Sequence, residues 1–314
     1  MGIKISKIVD FLESRNYQFK FKGSKDDSID GFSTLFNYKA NTLTFVSSLN
    51  KFQDVLPLFE TKKIQLVITS QEEKIYSCFN NTIQIENPKS VFFRIIEHFF
   101  EAPQSFDCSP ITSNISQIKK QSYISPNVTL GKNVKIGIGC VLDGDILIGE
   151  NTVIHHNVVL RNKVTVGENC KILSGAVIGE DGFNPLKEEG NNRTMVKHYG
   201  GVTIEDNVQV GEHCGISRGT IDDTIIKKGV KLNKHAVIAH NVIIGKNTIF
   251  TTPTFVGGSV KIGENCHIAA NVIKNQCIVG DNSVLGLGSV VIKNVASGIT
   301  VVGNPAKPLI KKEV

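Results

Sequence analysis

No Cys-x-x-Cys pair occurs anywhere in these 314 residues. The seven cysteines, Cys78, Cys108, Cys140, Cys170, Cys214, Cys266 and Cys277, are odd in number and scattered. That excludes a disulfide framework and a thiolate zinc site, and leaves reduced thiols as the reading. No run approaches the roughly 18 consecutive apolar residues of a membrane helix, and the first ten residues lack the apolar stretch of a secretory signal. The expectation is a cytoplasmic protein without membrane insertion. Long runs of Lys and Arg are missing too. The formal net charge of +6 comes from 35 basic residues with 29 acidic ones interspersed, which argues against nucleic acid as a partner and suits a small anionic ligand such as a nucleotide diphosphate.

What is present is a period. From Ile118 a branched aliphatic recurs at every sixth position: Ile124, Leu130, Ile136, Leu142, Ile148, Ile154, Leu160, Val166, Ile172 and Ile178. It resumes at Ile204, Val210 and Ile216, and again from Leu232 to Ile268; a last set, Ile273, Val279, Leu285 and Val291, runs one residue out of phase. An α-helix would space its apolar residues by three and four, and a sandwich strand would alternate. Period six resembles the hexapeptide signature of the left-handed parallel β-helix. Each hexapeptide there makes one face of a triangular prism, so about 18 residues make a turn, and stacked coils build a continuous apolar ladder. The glycine that often follows the aliphatic, as in Leu130-Gly131 and Ile148-Gly149, is expected to permit the corner, where a β-carbon or a positive φ would be costly. Cys140, Cys170, Cys214 and Cys266 precede an aliphatic by two places and read as small interior packing residues.

Two interruptions, residues 181–201 and 217–225, are polar and carry no repeat. Loops leaving a rigid prism are where ligand chemistry is expected. Residues 1–108 also lack the repeat. They read as a small α/β domain, with helices over 3–12 and 91–100 and strands over 42–46 and 64–68, possibly binding a nucleotide base, and with a linker over 102–107. The β-helix is expected over 109–294, and a tail over 295–314 is expected to leave the prism.

An α/β domain before a hexapeptide prism, together with Asp181-Gly182-Phe183, Arg218-Gly219, Asp222-Asp223-Thr224 and Ile238-Ala239-His240-Asn241-Val242, resembles the lipid A pathway N-acyltransferase family, the UDP-3-O-acylglucosamine N-acyltransferases. The resemblance implies that His240 is the general base, that the Gly258 amide contacts the oxyanion, and that Phe45 and Phe52 flank the nucleotide base. It puts Asp181, Phe183, His198 and Asn241 around the sugar. Asp181 reads equally as a residue that holds its own loop.

The chain departs from the family pattern in places. Ser217 stands before Arg218 where an acidic residue is expected. Gln276 stands near the position of a second histidine, and no helical tail for docking an acyl carrier protein precedes Val314. Val301-Val302-Gly303-Asn304-Pro305-Ala306-Lys307 instead resembles the tail of coenzyme A-dependent hexapeptide acetyltransferases, which implies Gly257, Gly303, Ala306 and Lys307 at the CoA. These departures favour acyl-CoA as co-substrate, no permanently bound cofactor, and acylation of a nucleotide-linked amino-dideoxy sugar. The second reading is carrier-protein-dependent acylation of UDP-3-O-acylglucosamine.

Direct attack of the amine on a thioester needs a proton acceptor and an oxyanion donor but no covalent intermediate, so no cysteine nucleophile is expected. By analogy of fold, the protein is expected to be a homotrimer with its sites between prisms. A γ-type carbonic anhydrase would use the same prism and three histidines; His235 and His240 have a compatible spacing, whereas the adjacent pair His155-His156 would face opposite ways in a strand. A non-catalytic scaffold is the remaining alternative.

Overall fold

The computed structural model describes residues 2–34, 38–46, 64–70, 79–100, 121–187, 192–251 and 253–309. The chain divides into two compact units, Met1–Asp107 and Cys108–Val314. Phe52, Cys78, Cys108, Ile118 and the expected linker lie outside the described residues.

In the N-terminal unit, five strands are ordered Phe19–Lys22, Thr82–Ile85, Leu66–Thr69, Thr42–Val46 and Gly31–Phe32. The first pair is antiparallel and the rest are parallel. The helix Ile5–Ser14 buries Ile5, Ile8, Val9 and Leu12, a spacing of three and four that makes one apolar stripe. The helix Pro88–Phe99 starts on a proline, whose missing N–H costs nothing at that position, and buries Val91, Phe92 and Ile95. Both helices begin or end two to three residues away from the sequence expectation. The strands Phe19–Lys22 and Thr82–Ile85 were not foreseen: each has only four residues, and Phe19–Lys22 alternates apolar with lysine at the sheet edge.

The second unit is a parallel β-solenoid. Ile136 pairs with Ile154 and Ile154 with Ile172, a step of 18 residues. The aliphatic series from Ile136 onward is buried throughout, and it joins Val134, Cys140, Val158, Cys170 and Ala176 in one core. Ile226, which falls outside the six-residue series, is a buried member of that core as well. The out-of-phase set has a plain cause: one coil is a residue short, so that Ile262 pairs with Val279.

At the corners it is the crowding of a β-carbon, and not a positive φ, that calls for glycine. Gly131 and Gly149 do not take a positive φ. A Cβ on Gly131 would come within 2.7 Å of the Glu150 nitrogen, and one on Gly149 within 2.6 Å of the Gly167 carbonyl carbon. These glycines are needed because the next coil runs directly over them. The left-handed corner conformation falls two residues later, on Asn133, Asn151, Asn169, Asn207, Asn247, Asn265 and Asn282, all with φ between 55° and 59°. Asparagine tolerates this region better than most residues. The stacked amides also bond along the prism, Asn133 to Asn151 at 3.1 Å and Asn265 to Asn282 at 3.4 Å.

The four repeat cysteines are buried, and each Sγ donates to a backbone carbonyl: Cys140 to His155, Cys170 to Glu205, Cys214 to Asn233 and Cys266 to Gly280. Thr152 and Thr248 occupy equivalent places with equivalent bonds. Burial pushes all four thiols up, which makes them poor nucleophiles.

The tail does not leave the prism as expected. Val295 bridges to Val279, Thr300–Val302 adds a parallel strand beside Val284–Leu285, and Lys307–Pro308 returns antiparallel onto it. An uncovered ladder end would expose unpaired backbone groups, and this return strand covers it.

Candidate active site

The two interruptions of the repeat are tied to each other. The Asp223 carboxylate accepts from Gly201 N–H at 2.7 Å, Thr203 Oγ1 at 2.9 Å and Lys163 Nζ at 3.3 Å. Burial alone would raise its pKa, but these three donors outweigh it and hold the carboxyl below its ordinary value. Arg218 N–H donates to the Glu180 carbonyl and its Nε to the Gly200 carbonyl, so one residue grips both ends of the long loop. Gly219 must be glycine, because a Cβ there would sit 1.6 Å from the Asp222 oxygen. Between these anchors the loop forms a short antiparallel hairpin, Pro185–Lys187 with Arg193–Met195.

His240 lies at the foot of this loop, half-buried. A Cβ on Gly182 would come within 2.9 Å of its Cβ, and one on Gly258 within 2.7 Å of its Nε2. The ring is therefore enclosed by two residues that have no side chain. Its Nδ1 is 3.1 Å from Asn241 Oδ1 and 3.5 Å from Thr220 Oγ1. The orientation of the Asn241 amide is fixed independently, since Nδ2 donates to the Asp222 carbonyl and Oδ1 accepts from Thr220 N–H. An oxygen thus faces His240 Nδ1, and Nδ1 carries the proton. In the neutral ring the lone pair is on Nε2, directed toward Gly258.

Gly258 N–H donates to Asn275 Oδ1 at 3.2 Å. The Asn275 amide also lies under Gly257, where a Cβ would be 2.3 Å from the same oxygen. The donor expected for an oxyanion is therefore present and is covered by a side-chain carbonyl oxygen. His198 is 2 % exposed, and its ring meets that of His240 edge to face, 5.5 Å between centroids. Asp181 is exposed and faces Arg218 at 3.9 Å, consistent with a role in its own loop. Phe183, Tyr199 and Ile221 are exposed on these loops.

Other expected site residues fall elsewhere. Phe45 belongs to the N-terminal unit, half-buried, with its ring 4.8 Å from that of Phe92. Gly303 takes a φ of 92°, Ala306 packs against the prism core and donates its N–H to the Val290 carbonyl, and Lys307 is exposed on the return strand. His235 is exposed and stacks on His213 at 5.6 Å, taking different partners from His240. His156 Nδ1 accepts from Ile138 N–H, and burial with the nearby His156 and Lys171 charges lowers the pKa of His155. Among the described residues, no group of three His, Cys, Asp or Glu side chains could hold a metal ion.

Sequence reading missed Thr220 and Asn275 and gave Gly182 no role. The coil pitch held a usable signal, because Gly258 follows His240 by one 18-residue coil and Asn275 follows Gly258 by the one-residue-short step of 17.

The Bacterial transferase hexapeptide (six repeats) family matches residues 145–180. Among solved structures, LpxA from Acinetobacter baumannii is similar with a TM-score of 0.55 and 28% identity, over 60% of this chain and 72% of that one. The UDP-N-acetylglucosamine acyltransferase from Bacteroides fragilis aligns with a TM-score of 0.55 and 26% identity over the same shares. The fold is thus the left-handed parallel β-helix with a small N-terminal α/β domain. A UDP-3-O-acylglucosamine N-acyltransferase of Francisella tularensis is 33% identical over 258 residues, 76% of this chain and 72% of the relative. One of Coxiella burnetii is 34% identical over 257 residues, 76% and 71% respectively. On this similarity, which spans three quarters of its length, the chain belongs to the UDP-3-O-acylglucosamine N-acyltransferase family of acyltransferases.

Proposed function

We propose that this protein transfers an acyl group from a thioester to the amine of UDP-3-O-acylglucosamine. The relatives favour this acceptor over the amino-dideoxy sugar suggested by the sequence departures. The observation that carries the chemistry is the His240 ring, with Nδ1 pinned by Asn241 and Nε2 free beside the Gly258 amide.

The amine attacks the thioester carbonyl directly. A C–N bond forms, the C–S bond breaks, and the amine's proton passes to His240 Nε2 and then to the departing thiolate. The oxyanion takes the Gly258 N–H in place of Asn275 Oδ1; one such donor contributes roughly 3 kcal/mol to known acyl transfers. Asn241 and Phe183 border the sugar.

The donor is an acyl chain on a pantetheine thiol, carried by a carrier protein. The tail that resembles a CoA-binding segment is occupied in sealing the last coil, which weakens the case for Gly303, Ala306 and Lys307 as CoA ligands. The assembly is a homotrimer. Val177, Val237, Phe255 and Val272 form an outward apolar column, 38–46 % exposed, on one prism face, and such a column favours burial between copies.

The test is thiol release from acyl carrier protein and from acyl-CoA in the presence of UDP-3-O-acylglucosamine. Release that requires both the sugar and the carrier supports the reading. Release from CoA with a dideoxy amino sugar alone would overturn it.

A further inference from the structure

His198 is a buried imidazole with one nitrogen unused. Its Nδ1 lies 2.9 Å from the Val196 carbonyl. A carbonyl only accepts, so Nδ1 carries the proton, and in the neutral ring Nε2 is a lone-pair acceptor. That Nε2 is closed to water and has no hydrogen-bond partner. A buried acceptor left unpaired is costly, and an exception of this kind in a well-anchored loop calls for an explanation.

The location supplies one. A Cβ built on Gly182 would stand 3.1 Å from His198 Nε2 and 3.0 Å from His240 Cδ2. Glycine at position 182 thus lets the loop backbone pack against both rings, where any side chain would clash. The backbone on either side is held, with Glu180 accepting from Arg218 N–H and Asn184 from Val196 N–H, so only residues 181–183 need give way for a small group to enter.

The chemistry of the acceptor says which group. A hydroxyl nucleophile has one hydrogen, and one base takes it. An amine brings two N–H bonds. One proton passes to His240 Nε2 as the C–N bond forms; the other stays on nitrogen into the product amide and needs an acceptor where water has no access, as at His198 Nε2.

Resting on the function proposed above, we propose that His198 Nε2 accepts the retained N–H of the acceptor amine, and that this second imidazole makes the site selective for amines over hydroxyls. His198 binds and orients the amine and is not itself a carrier of the transferred proton.

The experiment uses the full chain with UDP-3-O-acylglucosamine and a saturating acyl donor, comparing wild type, His198→Phe and His198→Gln. Phenylalanine keeps the ring volume without an acceptor, and glutamine can place an oxygen near the Nε2 position. The expected result is a loss of about 10- to 100-fold in kcat/KM for the Phe variant, with most of it restored by Gln. In the 15N-histidine-labelled wild type, the His198 Nε2 resonance is expected to move upfield when the sugar is added without donor. A Phe variant as active as wild type, Phe and Gln variants equally impaired, or an Nε2 resonance that ignores the sugar would overturn the proposal. If the Phe variant does not fold, the resonance decides. A wild type that acylates no nucleotide-linked amine would overturn the parent function first, a result distinct from all of these.

Discussion

The prism has a regular half and an interrupted half. From Ile136 to Ile178 every coil has the same length, every sixth residue is interior, and the corners are filled by asparagine or glycine. From Ile178 to Gly258 the same ladder continues in register, but two loops leave it, and the polar contacts they bring converge on His240. The regular half shows what the repeat alone provides, a stiff and chemically mute column. The interrupted half shows that reactivity was added at its edges without disturbing the interior pairing. If this division is right, stability and activity come apart by position.

The largest separation is expected at His240. His240→Ala should lower kcat by about 10²- to 10⁴-fold, the usual span for a lost general base, while the melting temperature stays near that of wild type; a parallel collapse in both would erase the distinction. The converse case is Leu160, fully buried in the regular half. Leu160→Ala should cost about 2–5 kcal/mol of stability through the cavity it leaves, with kcat per folded molecule unchanged, as read by denaturant unfolding beside assays well below the transition.

A smaller effect is expected at the joint between the halves. Asp223 has a depressed pKa in the folded chain, so its bonds stabilise the loop anchor above the unfolded carboxyl value near 4 and are lost as pH falls through the lower folded value. Asp223→Asn should lower the melting temperature by about 2–4 °C at neutral pH and flatten its decline on the acid side. A variant with the same acid profile as wild type would show that the carboxylate anchors nothing. The smallest effect is expected at Cys170. Threonine already fills the equivalent interior place at Thr152 and Thr248 with the same type of bond, so Cys170→Thr should change stability by less than about 1 kcal/mol. A larger loss would mean that the coils are less interchangeable than their register suggests.

Much of this was legible in the residues. Period six named the prism because a repeat cannot bury its aliphatic alone, and gaps in the period located the loops. The corner glycines were legible, but not which of their two reasons applied. Glycine signals both positive φ and close backbone approach, and only the coil spacing distinguishes them, which is why Asn133 and its stacked partners carry the turn while Gly131 makes room. The tail was misread for a similar reason: residues 295–309 lack the aliphatic rhythm, yet they pair because the ladder needs a last strand. His198 could be named but not placed, since its position beside His240 depends on how a 20-residue excursion folds back, and no local pattern encodes that. Three short strands of the N-terminal sheet, Phe19–Lys22, Gly31–Phe32 and Thr82–Ile85, escaped because two to four residues carry too little pattern to separate from a loop.

The register across the long loop has a consequence for how such a protein can change. Lys171 and Ile172 face Gln209 and Val210 as though nothing had been inserted between them, just as Val153 and Ile154 face Lys171 and Ile172. A coil is aligned by its neighbours above and below and not by the length of chain that connects them. The column therefore works like a shelf with fixed slots: a length of loop hung from one slot leaves the spacing of the others untouched. Lineages can lengthen, shorten or exchange the segment that meets the acceptor while the rest of the structure carries on unaltered, so the substrate range of this architecture is free to drift much faster than its frame.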